Sequence, residues 1–136
     1  MTTVVDNFLP KTYYRKLYDV VTSNTLPYYF QSSINNIEAA KPADFGFNYW
    51  IQDEAGTVHN WLFMPLLYAI KDRFGVGDLR RARIDMTMYN PDAYAHEPHQ
   101  DYIGDHFTAI YYLNDTDGPT NIYNETELSD DYTFDK

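Results

Sequence analysis

Leu79-Arg-Arg-Ala-Arg-Ile-Asp-Met-Thr-Met-Tyr89 decides how this chain is read, together with His99-Gln-Asp101 and His106-Phe-Thr-Ala-Ile-Tyr-Tyr-Leu113 further on. From 79 to 89 the residues alternate. Ala82, Ile84, Met86 and Met88 fall on one side, and Arg81, Arg83, Asp85, Thr87 and Tyr89 on the other. A period of two marks a strand with one apolar and one polar face. Asn90-Pro91-Asp92 turns the chain, 99–102 reads as short and extended, and 106–113 as a second clear strand. Asn114-Asp-Thr-Asp-Gly-Pro119 is a strong turn, and 120–123 begins another strand.

Upstream the pattern changes. Apolar positions at Tyr14, Leu17, Tyr18 and Val21, with Pro10 suited to a first helical turn, predict a helix from about 10 to 23. Residues 24–44 read as loop with a short element around Tyr28 to Gln31. Phe45-Gly-Phe-Asn-Tyr-Trp-Ile51 is β-prone and precedes a turn at Asp53-Glu-Ala-Gly56. Trp61 to Phe74 reads as a helix with Pro65 in its first turn and Gly75 and Gly77 to stop it. The expected class is α+β, with N-terminal helices leading into a sandwich or barrel of strands. The 136 residues, 44% hydrophobic and 18% aromatic, suit one domain over 1–136. Within it, 1–78 forms a helical and strand support, 79–123 the strand-rich part and 124–136 an acidic tail.

The net charge of -10 is unevenly placed. Residues 1–83 hold 8 acidic and 9 basic residues, whereas 84–136 hold 12 acidic residues and only Lys136 as a base. Such a surface repels phosphate backbones and makes nucleic acid or an anionic membrane an unsuitable partner. The longest apolar run, Trp61 to Ile70, contains Pro65 and is too short to span a bilayer, and the first residues resemble no signal peptide. A cytoplasmic protein is expected.

With no cysteine, a metal site would have to use His and carboxylate. Three of the four histidines, His96, His99 and His106, lie close together, and His99 and Asp101 stand two apart. In an extended segment i and i+2 project to one side, so an imidazole and a carboxylate can converge on one ion. A further histidine would make the facial triad of non-haem Fe(II) oxygenases, with open positions for co-substrate and dioxygen. Pro98 opposes a helix here, and Gln100 stands where a helical zinc motif beginning at His96 needs its second histidine. The competing reading of His-x-Asp is a polar loop beside a strand. His96 and His106 read as loop and strand-start residues, and His59 as structural.

Met86-Thr-Met-Tyr89-Asn-Pro91, His99-Gln-Asp101, Thr108-Ala-Ile-Tyr-Tyr-Leu-Asn114 and Asp117-Gly-Pro-Thr120 occur in this order. Together with the opening Asp6-Asn-Phe-Leu-Pro10 and its helix, they resemble the Fe(II)- and 2-oxoglutarate-dependent oxygenases of the prolyl 4-hydroxylase type, especially short bacteriophage-encoded members. The resemblance spans most of the chain. It implies a double-stranded β-helix, or jelly roll, whose first half is 79–123. It implies His99 and Asp101 as two iron ligands, and Tyr89 and Tyr112 as hydroxyls that hold 2-oxoglutarate, although plain aromatic packing is the other reading of both tyrosines. The implied activity is hydroxylation coupled to conversion of 2-oxoglutarate to succinate.

The same resemblance calls for a distal histidine as third ligand and a later arginine or lysine for the remote carboxylate of 2-oxoglutarate. No histidine follows His106 and no arginine follows Arg83. The expectation is therefore an incomplete jelly roll, apparently truncated, that is inactive alone or completed by a C-terminal polypeptide. Open sheet edges also admit a homo-oligomer. A site completed by His59 or by a second copy's histidine is a lesser possibility, as is a metal-binding jelly roll without oxygenase chemistry. The alternative from another class is a non-catalytic binding or assembly protein built on this fold.

Overall fold

The computed structural model describes residues 2–33, 45–89, 91, 96, 98–99, 101–102, 104–116 and 118–123. Helix α1 covers Lys11–Val21, strand β1 Tyr29–Gln31 and strand β2 Gly46–Gln52. A single 3-10 turn at Trp61–Phe63 leads into helix α2, Met64–Phe74, and strand β3 covers Ala82–Thr87. The architecture is α+β: two helices and an open antiparallel sheet in the order β1-β2-β3.

Both helices follow from their sequences. Pro10 stands one position earlier than expected, at the N-cap of α1 with ψ 138°, and its carbonyl accepts the Tyr14 N–H at 3.0 Å. Pro65 occupies the first turn of α2, where a missing N–H costs nothing. Gly75 ends α2 in the left-handed conformation, φ 62°, which any residue with a Cβ adopts only with strain. Asp53 closes the turn after β2: its backbone N–H donates to the Thr57 carbonyl at 3.1 Å, and its carboxylate accepts the Thr57 N–H at 2.9 Å.

Register assigns the sheet's two faces. Phe30, Phe47 and Met86 stand opposite one another across the three strands, and Tyr49 stands opposite Ile84. Directly opposed residues share a face. Tyr49 and Ile51 belong to the buried cluster with Leu9, Leu17, Leu26, Phe63 and Leu66, so the helices pack on this face. Each such side chain contributes roughly 1.5–3 kcal/mol by leaving water. The other face carries Tyr29, Asn48 and Asp85 in one row and Trp50 and Arg83 in the next. A register shift between Trp50 and Gln52 ends the regular pairing.

Two expectations do not hold among the described residues. Neither 106–113 nor 120–123 forms a strand, and the residues described in 99–102 lie in coil and a bend. The alternation in 110–113 is nevertheless expressed: Tyr111 and Leu113 pack against the core, while Ile110 and Tyr112 face outward. A period of two sorts side chains, but a strand also needs a neighbour to supply backbone partners, and none stands beside this segment among the described residues. Met86 and Met88, expected on an apolar face, are exposed because the helices cover only the Ile84 end of β3. Residues 34–44 of the expected loop, Asn90 and Asp92 of the turn and the acidic tail 124–136 lie outside the described residues.

Candidate metal centre

His99 and Asp101 are brought together, with Nε2 and Oδ1 3.7 Å apart and both side chains less than half exposed. The pair sits in irregular backbone rather than the extended segment on which the i, i+2 argument rested. What anchors it is the pair of arginines just before β3. The Arg81 guanidinium donates to the Asp101 carbonyl at 3.0 Å and to the Glu54 carboxylate at 3.1 Å. One residue earlier, Arg80 lies over the Tyr102 ring, 4.3 Å from its centroid, and donates to the Tyr102 hydroxyl at 2.6 Å. Arginine suits both tasks, since its planar fork can bond two acceptors and stack on a ring.

The polar face of β3 continues alongside. Arg83 donates through Nε to Asp85 at 3.0 Å and lies 6.0 Å from the centre of the Trp50 ring. The Asp85 carboxyl is raised above the usual carboxylate range, chiefly because surrounding protein strips it of water. Arg83 pulls it back, while the negative charge of Asp101 pushes it further up. Opposite Asp85 on β2, Asn48 is 5% exposed, and among the described residues its buried side-chain oxygen has no hydrogen-bond partner. This face thus combines arginine, carboxylate, imidazole and an unanswered acceptor.

The remaining candidates are placed differently. Tyr89 lies beyond the end of β3, 85% exposed, with the parity of Asp85 and Thr87. Tyr112 opens onto a cleft beside α1, and its hydroxyl bonds the Thr120 hydroxyl. No described contact joins either tyrosine to the His99–Asp101 pair. The His59 Nε2 meets the Asp53 carboxylate at 3.0 Å across the turn after β2. That contact and the Thr57 N–H hold the Asp53 carboxyl below the usual range, the backbone bond being the larger cause. His106 bonds the Gly104 carbonyl at 2.8 Å and sits edge-on to Tyr102.

Among the described residues no group of three or more His, Cys, Asp or Glu side chains is arranged to hold a metal ion. Asn48, Glu54, Arg80 and Arg81 were not singled out as site residues from sequence. The alternation of β3 does place Arg81, Arg83 and Asp85 on one face, but nothing local says that 99–102 returns to that face. No helix among the described residues is long and apolar enough to cross a membrane. No protein-family model, curated protein or solved structure matches the chain.

Proposed function

We propose that the chain is the N-terminal part of a prolyl 4-hydroxylase-like Fe(II)/2-oxoglutarate dioxygenase, carrying two of three protein ligands in an incomplete jelly roll. The observation that carries this reading is the His99–Asp101 pair held at 3.7 Å beside the polar face of a sheet whose other face bears the helices. A jelly roll with external helices needs that division, with the metal pair on the inner side.

The donor set fits in part. One imidazole and one carboxylate suit a divalent iron, and the buried Asn48 oxygen adds demand for a positive partner on the same face. Two protein ligands do not close a facial triad, so the third is assigned to a complementing polypeptide, with His59 or a second copy's histidine as the lesser alternatives. When bound, Fe(II) with 2-oxoglutarate would supply the oxidation of an unactivated C–H bond. This chain's own part is to present the His99 Nε2 and the Asp101 carboxylate, with Arg81 fixing the backbone at Asp101. Tyr89 and Tyr112 carry over as hydroxyls for 2-oxoglutarate, each needing the completing strands to turn it toward the pair.

The test is Mn(II) or anaerobic Fe(II) titration of the chain and of His99→Ala and Asp101→Ala. Succinate release with Fe(II) and 2-oxoglutarate is followed alone and with the polypeptide encoded immediately downstream. Metal binding lost in both variants, and succinate formed on complementation, is the expected result. Absence of succinate both alone and on complementation rejects the reading.

One observation favours the second reading, a non-catalytic binding or assembly protein. At the end of the sheet the helices leave uncovered, the Phe30 ring lies tilted to Phe45 and edge-on to Phe47, with centroids 6.1 and 5.8 Å away. Phe30, Phe45, Met86 and Met88 there are exposed, and among the described residues β1 and β3 are the unpaired edges of the sheet. Such an end suits a completing fragment or a second copy. Partner association unchanged by His99→Ala, with no specific Fe(II) binding, would select this reading.

A further inference from the structure

Among the described residues β3 pairs with β2 on one side only, and its other side is an edge of the sheet. Edges that stay alone are blunted by proline, by a bulge or by charges that repel an incoming strand. Ala82-Arg-Ile-Asp-Met-Thr87 holds no proline and no glycine, and its charges, Arg83 and Asp85, are of opposite sign. The register shift of the sheet falls at Trp50 to Gln52, on β2. Nothing in these six residues therefore turns a neighbour away.

The strand is also complementary to itself. Arg83 and Asp85 stand two apart on the face away from the helices, and Ala82, Ile84 and Met86 on the other. Within the strand Arg83 donates through Nε to Asp85 at 3.0 Å. That bond does not offset the water lost around Asp85, whose carboxyl stays raised. A positive group directly across the edge supplies what the strand itself lacks, since opposed charges on paired strands attract.

We propose that two copies of this chain pair through β3, antiparallel about a two-fold axis at Ile84, so that each Arg83 stands opposite the partner's Asp85. The same register sets Ile84 against the partner's Ile84, and the small Ala82 against the partner's Met86, which is 38% exposed in the single chain. Two three-stranded sheets join into one of six strands, with the helices of both copies on the same face. An axis at Asp85 instead sets like charges directly opposite, which disfavours that alignment. Two-fold symmetry makes the Arg83–Asp85 pair twice over. The net charge of -10 opposes the approach of two copies, but at 0.15 M salt the Debye length is about 8 Å, so remote charges are screened far more than those opposed across the ladder. Pairing takes up the open edge of the second reading and commits it to a second copy. It needs neither iron nor the His99–Asp101 pair, so loss of metal binding leaves it standing, and its own failure leaves metal binding untouched.

The test is sedimentation equilibrium of the full chain without metal, where a dimer with a Kd of about 0.1 mM or tighter is expected. Arg83→Asp and Asp85→Arg should each weaken it about tenfold or more, because each sets like charges opposite one another at two places. Mixed in equal amounts, the two variants should form a heterodimer, in which every opposed pair is again of opposite sign. Far-ultraviolet circular dichroism checks the fold of each variant. A second measurement reads the register without touching either charge. The chain has no cysteine, so Ile84→Cys should oxidise to a cross-linked dimer, whereas Thr87→Cys, roughly 20 Å from its own copy in this register, should not. A chain that stays monomeric to about 1 mM overturns the proposal and leaves the edge to the completing polypeptide. A dimer that both reversals leave unchanged, no heterodimer from two folded variants, or equal cross-linking at 84 and 87 overturns it as well.

Discussion

Tyr13 shows how one hydroxyl can join two helices. It donates to the Leu62 carbonyl at 2.7 Å and accepts the Leu66 N–H at 3.2 Å. Leu66 lies in the first turn of α2, where N–H groups have no partner within the helix, and the N-cap Phe63 has no oxygen to offer. A residue on α1 therefore caps α2, and burial pushes its phenol up, keeping the donor protonated. Tyr13→Phe should cost about 1–3 kcal/mol, since it leaves Leu62 and Leu66 unanswered; urea denaturation measures the loss. Asp85 and Asp53 make opposite contributions with pH. A raised carboxyl binds its proton more tightly when folded, so its contribution is favourable in acid and fades as pH rises through its folded pKa. Asp85→Asn should accordingly raise Tm at neutral pH and leave it nearly unchanged near pH ~3. The depressed Asp53 carboxyl stabilises at neutral pH, and that contribution goes as pH falls through the acid range. Asp53→Asn should lower Tm at neutral pH and converge with the parent in acid, both read by thermal unfolding across pH.

Among the elements, α1, α2 and β2 were legible because each carries its own signal. Prolines and glycines bracket α2, and the residues around Phe47 to Ile51 are β-prone and buried from both sides. Even the three residues of β1 fall within the short element expected around Tyr28 to Gln31. The segment 106–113 was misread for a physical reason. Its alternation survives in the inward Tyr111 and Leu113, but no neighbouring strand supplies a ladder among the described residues. Hydrogen exchange should separate the two cases. The amides of β2, paired on both sides, should exchange slowly, and those of 106–113 fast, because unpaired backbone opens at little cost. If a complementing polypeptide supplies further strands, protection across 106–113 should rise when it is added.

At the scale of the whole chain, the uneven charge is the dominant electrostatic fact. Twelve acidic residues after Arg83 repel one another with only Lys136 among them. Salt shortens the Debye length from about 30 Å at 0.01 M to about 3 Å at 1 M. Exposed ion pairs such as Arg81–Glu54 contribute little that salt could remove. Tm should therefore rise with added sodium chloride, and a fall would show that the pairs outweigh the repulsion. The basic residues, in turn, do local work. Arg80 and Arg81 hold 101–102 against the start of β3, which sequence alone did not reveal.

By itself the sequence determined the helices, the central strand and the alternation of β3. Each of these rests on residues within a few positions of one another, where spacing and backbone preference suffice. Only the tertiary structure decided which sheet face the helices cover, that the His99–Asp101 pair is tied to β3 by arginines, and that 106–113 takes no ladder. It also decided that Tyr112 opens beside Tyr14 and Tyr18, 98 and 94 positions earlier in the chain. Those outcomes depend on partners distant in sequence, and no local period encodes which distant partner arrives.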